Sequence, residues 1–352
     1  MNFKSDNGAP VNLEILDAIV ASNHGYQPSY GTDDYSCKLQ KRLSELFEKD
    51  VLVYLTNTGT AANSLALSAL VKPYEIIFCS TQAHIYTDEC GAPELFTGGA
   101  KMITSETFNG KIDLECIHEH IQIATSLRPH GQKPGCISLT QATEAGTAYT
   151  IKDLEEISEF CKKQNLPLHM DGARFANSLV HLQCQPADIT WKAGVDVMSF
   201  GATKNGALCA EAIIFFNPIY AENFDYLHKR SGQLMSKSRF FASQLLAYLE
   251  EDLWLKNAWH ANQKAQELAH VFKKYNIKIV HNVDANEVFV NLDFTCAEYL
   301  QKKGFGFYSW GSLSSNLYRF VTSWITTSDS IEKLDVCLSQ YTKDEKNFIK
   351  DK

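Results

Sequence analysis

The sequence predicts an α/β protein: a mainly parallel sheet covered on both faces, followed by a smaller α+β domain. Three observations predict it. Short apolar runs alternate with helical stretches from Ser36 to Phe216, the pattern of a parallel sheet with helices on its faces. The residues best able to do chemistry fall at or just past predicted strand ends, where ligands sit in such sheets. After Pro218 the alternation gives way to two long helical stretches and two separated strands.

The elements follow in order. Leu39, Leu43, Leu46 and Phe47 share one face of a helix over Ser36–Phe47. Val51–Thr56 is a short apolar strand, Asn57–Thr60 a turn, and Ala61–Val71 an Ala/Leu-rich helix. Strands are expected at Ile76–Cys79, Cys136–Leu139, Leu166–Met170, Val195–Phe200 and Ala212–Phe216, with a helix over Lys152–Gln164. Beyond Pro218, helices at Ser238–Glu250 and Ala258–Tyr275 precede strands at Glu287–Leu292 and Leu317–Trp324. The organisation expected is a large domain over 1–240, N-terminal segment included, and a small C-terminal α+β domain over 241–345.

The chain has 352 residues, is 45% hydrophobic and carries a formal charge of −8, enough for a sizeable core. No basic run or stripe appears, which argues against nucleic acid and anionic membranes as main partners. The ten cysteines are scattered, with no CxxC pair and no Cys/His cluster of metal-binding spacing. They are expected as free thiols in a reducing compartment. With no apolar leader at Met1–Asn7 and no 18-residue apolar run, the expected location is the cytoplasm.

Two strand ends carry the strongest chemical signal. One reads His169-Met170-Asp171-Gly172-Ala173-Arg174, the other Ser199-Phe200-Gly201-Ala202-Thr203-Lys204-Asn205-Gly206. An Asp at one strand end and a Lys in a small-residue turn after the next is how one large class of enzymes holds pyridoxal 5′-phosphate. The Lys amine forms a Schiff base with the cofactor aldehyde. The Asp keeps the pyridine nitrogen protonated, so that the ring draws electrons. The small residues around Lys204 are read as letting backbone approach a ligand, with Ser199 and Thr203 as phosphate donors. Thr58-Gly59-Thr60-Ala61 opens a helix and is read as an anion site, against the plain alternative of an ordinary N-cap. His84 follows a strand end and is placed to stack on a flat ring, with Glu89 either orienting it or merely solvated. Arg174, three residues past Asp171, is a candidate for a substrate carboxylate. Arg319 lies inside the apolar run Leu317–Val321, where a charge needs a partner: a structural ion pair, or again a substrate carboxylate.

Together these residues resemble the low-specificity L-threonine aldolases of the aspartate-aminotransferase-like superfamily, PLP fold type I. The resemblance runs over nearly the whole chain. It is carried by Ser5-Asp6-Asn7, Asn57-Thr58-Gly59-Thr60-Ala61-Ala62-Asn63, His84-Ile85-Tyr86-Thr87-Asp88-Glu89, and the two strand-end motifs. It implies a seven-stranded, mainly parallel sheet. It implies that Ser5, Arg174 and Arg319 bind the substrate carboxylate and that Gly59 and Thr60 cup the phosphate. His84 would stack on the ring, Asp171 pair with its nitrogen and Lys204 form the Schiff base. It also implies a homotetramer, a dimer of dimers with shared active sites, in which Arg230 reaches the neighbour's phosphate. Two segments depart from the family's common form: Gln141-Ala142-Thr143-Glu144-Ala145-Gly146-Thr147 and Ser231-Gly232-Gln233-Leu234.

The expected reaction is retro-aldol cleavage of a β-hydroxy-α-amino acid, with L-threonine or L-allo-threonine giving glycine and acetaldehyde. The carboxylate clamp decides which bond at Cα aligns with the ring system. For the base that takes the β-hydroxyl proton, His84 is the first candidate and His130, in Arg128-Pro129-His130-Gly131, the second. β-Elimination or transamination on the same scaffold is the runner-up. A non-catalytic regulator fits poorly with the full residue set, and a metal hydrolase lacks ligands.

Overall fold

The computed structural model describes residues 1–105, 109–311 and 315–350. Seven strands form one sheet: β1 (Leu52–Thr56), β2 (Glu75–Ser80), β3 (Lys101–Ser105), β4 (Lys133–Thr140), β5 (Leu168–Gly172), β6 (Val197–Gly201) and β7 (Glu211–Phe215). Their order is β1-β7-β6-β5-β4-β2-β3. The pairings from β6 through β5, β4 and β2 to β3 are parallel, and β7 is antiparallel to both β6 and β1. Every residue of β2, β5, β6 and β7 is buried, as continuous apolar runs require when helices cover both faces. β3 is the exposed edge strand that the sequence reading did not place.

Helix Gly59–Leu70 covers one face, packing Leu65, Ala66 and Leu67 with Ile77, Val197, Ile213 and Phe215. The other face carries an aromatic cluster. Phe200 meets Phe47 edge-on at 6.4 Å and Trp254 at 5.8 Å, ring centre to ring centre. Truncating such a buried phenylalanine to alanine costs about 3–5 kcal/mol. Helix Arg239–Leu249, which the sequence boundary at 240/241 would divide, buries Ala242, Leu245, Tyr248 and Leu249 in this same core.

A second core begins at Ala265 on helix Leu253–Lys274. It packs against an antiparallel sheet of β8 (Glu287–Asn291), β9 (Tyr308–Ser309) and β10 (Leu317–Val321), in the order β8-β10-β9. Phe3 is buried in this core. Its amide donates to Gly306 O at 2.7 Å, and Val321 N–H donates to Phe3 O at 2.9 Å. The N-terminal segment is thereby tied to the small sheet, and Ser5–Asn7 is carried to the mouth of the large one.

Candidate active site

The strand ends converge on one cavity of about 280 Å³, whose wall includes Thr58, Gly59, Thr60, His84, Asp171, Arg174, Thr203 and Lys204. Register explains the convergence. Thr140 at the end of β4 lies opposite Asp171 on β5, and Asp171 lies opposite Ser199 on β6. Asp171 and the turn after Gly201 therefore emerge side by side. A Cβ on Gly201 would fall 2.8 Å from Ala173 Cα, and one on Gly172 the same distance from Ser199 O. The small residues thus serve the close approach of two strand ends. The sequence reading had assigned them to ligand approach.

Asp171 is held from two sides. Its Oδ1 accepts from Ala173 N–H at 2.9 Å and its Oδ2 from the Asn63 amide at 2.8 Å. The same Asn63 nitrogen donates to Glu89 Oε1 at 2.8 Å, and that oxygen lies 2.9 Å from His84 Nδ1. One chain of contacts therefore runs from His84 through Glu89 and Asn63 to Asp171. The bond to Glu89 raises the His84 pKa above its ordinary value, and burial raises that of Glu89. Glu89 is a buried partner of His84, which decides between its two sequence readings.

Lys204 stands on a short 3-10 turn, Thr203–Asn205, and makes no ion pair among the described residues. Thr58 caps helix Gly59–Leu70, its Oγ1 accepting from Ala61 N–H at 3.1 Å. The space over Gly59, where a Cβ would stand, is open. Thr203 Oγ1 is buried with no hydrogen-bond partner among the described residues. An open helix N-terminus, an unused hydroxyl, a lysine and a carboxylate in one cavity fit a phosphorylated pyridine aldehyde: phosphate at Gly59, Thr60 and Thr203, ring nitrogen at Asp171, aldehyde at Lys204.

Arg174 lines the cavity but is already engaged. Its Nε donates to Asp6 Oδ2 at 2.8 Å and its Nη2 to Asp6 Oδ1 at 3.0 Å. Its Nη1 lies 3.4 Å from Glu287 Oε2. Burial raises the Asp6 pKa, but the Arg174 and Lys204 charges and the hydrogen bonds from Arg174 and Asn286 together outweigh it and hold the carboxyl below its ordinary value. Arg319 shares Glu287, with Nη1 to Oε1 at 3.4 Å, and its guanidinium stacks 4.4 Å from the Trp310 ring centre. The structural ion pair weighed for Arg319 is therefore present: Arg319 shares this carboxylate with Arg174 and is not among the residues lining the cavity.

Other predicted residues lie elsewhere. The Ser5 hydroxyl caps the turn Asp6–Gly8, accepting from Asn7 N–H at 3.1 Å, and Asn7 rather than Ser5 lines the cavity. Ser199 is not a phosphate donor. Its Oγ lies 3.2 Å from Nε2 of buried His169, whose other nitrogen meets Ser138 Oγ at 2.9 Å. Burial pushes the His169 pKa down to about 4. Arg230 is exposed at the end of helix Phe224–Arg230, outside the cavity wall. His130 does not reach the cavity within its own chain. It precedes β4, whose far end carries Thr140, so within its own chain it lies at the opposite edge of the sheet. There it is exposed beside Tyr74 and Lys133.

Sequence reasoning passed over three groups. Asn63 lay inside a quoted motif but was given no role. Glu144 stood in the departing segment, and it now lines the cavity. Glu211 heads the apolar run of β7 and accepts from Ala202 and Thr203 amides at 3.3 Å. A lone acid opening an otherwise apolar strand was the available signal. Burial pushes both of these glutamates up to about 7.

Residues 2–295 match the β-eliminating lyase family. The chain is 42% identical over 333 residues to the low specificity L-threonine aldolase of Pseudomonas sp. (strain NCIMB 10558), covering 94% of this chain and 95% of that one. Among solved structures, the threonine aldolase of Leishmania major superposes with a TM-score of 0.91 at 28% identity, over 97% of this chain and 99% of that one. The aspartate aminotransferase of Thermotoga maritima superposes with a TM-score of 0.71 at 16% identity, over 97% and 92%, a likeness of fold.

Proposed function

The chain belongs to the β-eliminating lyase family, and from that premise we propose that it cleaves L-threonine, L-allo-threonine and related β-hydroxy-α-amino acids into glycine and an aldehyde. Its fold is PLP fold type I and its cofactor is pyridoxal 5′-phosphate. The observation that carries the reading is the single cavity in which Lys204, Asp171, Arg174 and the N-terminus of helix Gly59–Leu70 meet.

When bound, pyridoxal phosphate supplies an electron sink for the pair released as a bond to Cα breaks. Lys204 would hold its aldehyde, Asp171 its ring nitrogen, and Gly59, Thr60 and Thr203 its phosphate, all of them residues of the cavity wall. Asn63 keeps the Asp171 carboxylate turned into the cavity. The His84 ring, tethered by Glu89, would cover the cofactor face. Arg174 takes the substrate carboxylate through the N–H groups that Asp6 leaves free. Asp6 fixes its fork bidentately, and Glu287 couples it to Arg319. A carboxylate clamped by planar donors leaves one bond at Cα free to align with the ring system. In an aldolase that bond is Cα–Cβ.

The proposal extends to assembly, location and domains. Leu13, Leu16 and Val20 lie on one exposed face of helix Leu13–Ser22, apolar surface that association of copies would cover. A cytoplasmic homotetramer with shared active sites, in which Arg230 reaches the neighbour's phosphate and Ser5 joins the carboxylate clamp, is the fuller reading. Light scattering of the purified protein tests the tetramer. No helix among the described residues is long and apolar enough to cross a membrane. We place the division between domains within helix Leu253–Lys274, between Ala258 of the first core and Ala265 of the second.

The test is to incubate the cofactor-loaded protein with each threonine isomer and assay acetaldehyde and glycine, with Lys204→Ala as control. Aldehyde that disappears in the variant supports the reading. Pyruvate and ammonia from serine, with no aldehyde from either isomer, would move the assignment to β-elimination.

A further inference from the structure

Glu144 follows the end of β4, in the segment that departs from the family's common form. Its Oε1 accepts two hydrogen bonds, from His84 N–H at 2.8 Å and from Thr140 Oγ1 at 2.8 Å. Its Oε2 is buried with no partner among the described residues. Two donors therefore anchor the carboxyl through one oxygen and leave the other unused, on a residue that lines the cavity with Lys204 and Asp171. Glu144 makes no ion pair among the described residues. A side chain needed only to pin the His84 backbone would be served by glutamine, which offers the same acceptor without a buried acid. Retaining the acid needs another reason, and the unused oxygen supplies it.

We propose that Glu144 is the acid–base residue for the substrate β-hydroxyl. The inference rests on the aldolase reading of the site. As Cα–Cβ breaks, the hydroxyl O–H also breaks. Its proton passes to the Glu144 carboxylate, and the O–H pair becomes the second bond of the aldehyde carbonyl. The Cα–Cβ pair stays with Cα, which then takes one proton to become glycine. In the synthetic direction Glu144 returns its proton to the aldehyde oxygen. This leaves the His84 ring, tied at Nδ1 to Glu89, to its place over the cofactor.

The charge surroundings suit the task. Asp171, Arg174, Lys204 and His84 share the cavity wall, and Cys79 and Tyr149 lie within electrostatic reach. Burial, with the Asp171 charge adding to it, pushes the Glu144 carboxyl up to about 7, close to the range in which one group both takes and gives a proton.

The experiment uses the cofactor-loaded full chain as wild type, Glu144→Gln and Glu144→Asp. Two reactions are compared: acetaldehyde release from L-threonine across pH, and exchange of the glycine Cα proton with deuterium, followed by NMR. Glycine has no β-hydroxyl, so its exchange uses the same cofactor and carboxylate clamp without the proposed step. In wild type, cleavage rises as pH passes through about 7. In Glu144→Gln it falls on the order of 10²-fold and loses that limb, while glycine exchange and cofactor absorbance persist. Glu144→Asp, which keeps an acid on a shorter arm, recovers a pH-dependent limb. If Glu144→Gln cleaves threonine at the wild-type rate with the same limb, the proposal is overturned. If cleavage and glycine exchange fall by the same factor, Glu144 is only structural. Absence of aldehyde from the wild-type protein would instead sink the aldolase reading, and this inference with it.

Discussion

Replacing Glu287 with glutamine probes the ion cluster behind the cavity. Glu287 is 1% exposed. It lies 3.4 Å from Arg174 Nη1 and 3.4 Å from Arg319 Nη1. It is the one carboxylate paired with Arg319 among the described residues. Removing one partner from a buried ion pair costs about 3–5 kcal/mol. Two features lower the figure here. The glutamine oxygen still accepts a hydrogen bond, and Asp6 still holds Arg174 bidentately. A net loss of about 2–3 kcal/mol is expected. With an unfolding entropy of roughly 2 cal/mol/K per residue, a chain of this length loses about 3–4 °C in Tm. Differential scanning calorimetry of the cofactor-loaded protein reads the change. Asp329→Asn is the control, because its pair with Lys333 is exposed on both sides, and it shifts Tm by less than about 1 °C. A Glu287→Gln protein as stable as wild type would refute the reasoning, because the two guanidinium groups would then not depend on this charge.

Other predictions follow from the same geometry. Lys204→Ala abolishes acetaldehyde release and the Schiff-base absorbance while leaving Tm within about 2 °C of wild-type apoprotein, since Lys204 forms no ion pair among the described residues; calorimetry and the visible spectrum check it. Asn63→Leu removes the donor shared by Asp171 and Glu89, so it lowers apoprotein stability by about 2–4 kcal/mol and weakens cofactor retention in equilibrium dialysis. Retention equal to wild type would contradict that role. Glu211, pushed up to about 7 by burial, keeps its proton in the folded chain over the span from about pH 4.5 to about 7, where the unfolded chain has lost it. The unfolded state then binds fewer protons, so stability falls as pH rises through that window. Glu211→Gln removes this loss, gaining about 2–3 kcal/mol relative to wild type at about pH 7.5 over the difference at about pH 4.5, read as Tm against pH. A gain independent of pH would show that the acid is not what the burial opposes.

Much of this fold was legible in the sequence because its central strands are buried on both faces. The runs at Ile76, Cys136, Leu166, Val195 and Ala212 became β2, β4, β5, β6 and β7 within a few residues of their expected bounds. β3 escaped because an edge strand, Lys101–Ser105, is only partly buried and lacks such a run. Helix Leu13–Ser22 escaped because Leu13, Leu16 and Val20 face outward and blur the periodicity. At the site, Asp171, Lys204, Gly59, Thr60, Thr203, His84 and Arg174 converge because each lies at a strand end or helix start, where the topology fixes position. The rest depends on pairings distant in the chain. Nothing in Arg319 alone says that it shares Glu287 with Arg174, and nothing near His130 says that β4 carries it to the far edge. Ser199 looked like a ligand donor until buried His169 was seen to occupy it.

The most direct test of the central claim is to reduce the cofactor-loaded protein with borohydride, digest it and locate the pyridoxyl group by mass spectrometry. The account predicts a single labelled peptide carrying Lys204, with the label absent from Lys204→Ala. Label on any other lysine, or none on a protein that retains the cofactor, would contradict the assignment of this cavity.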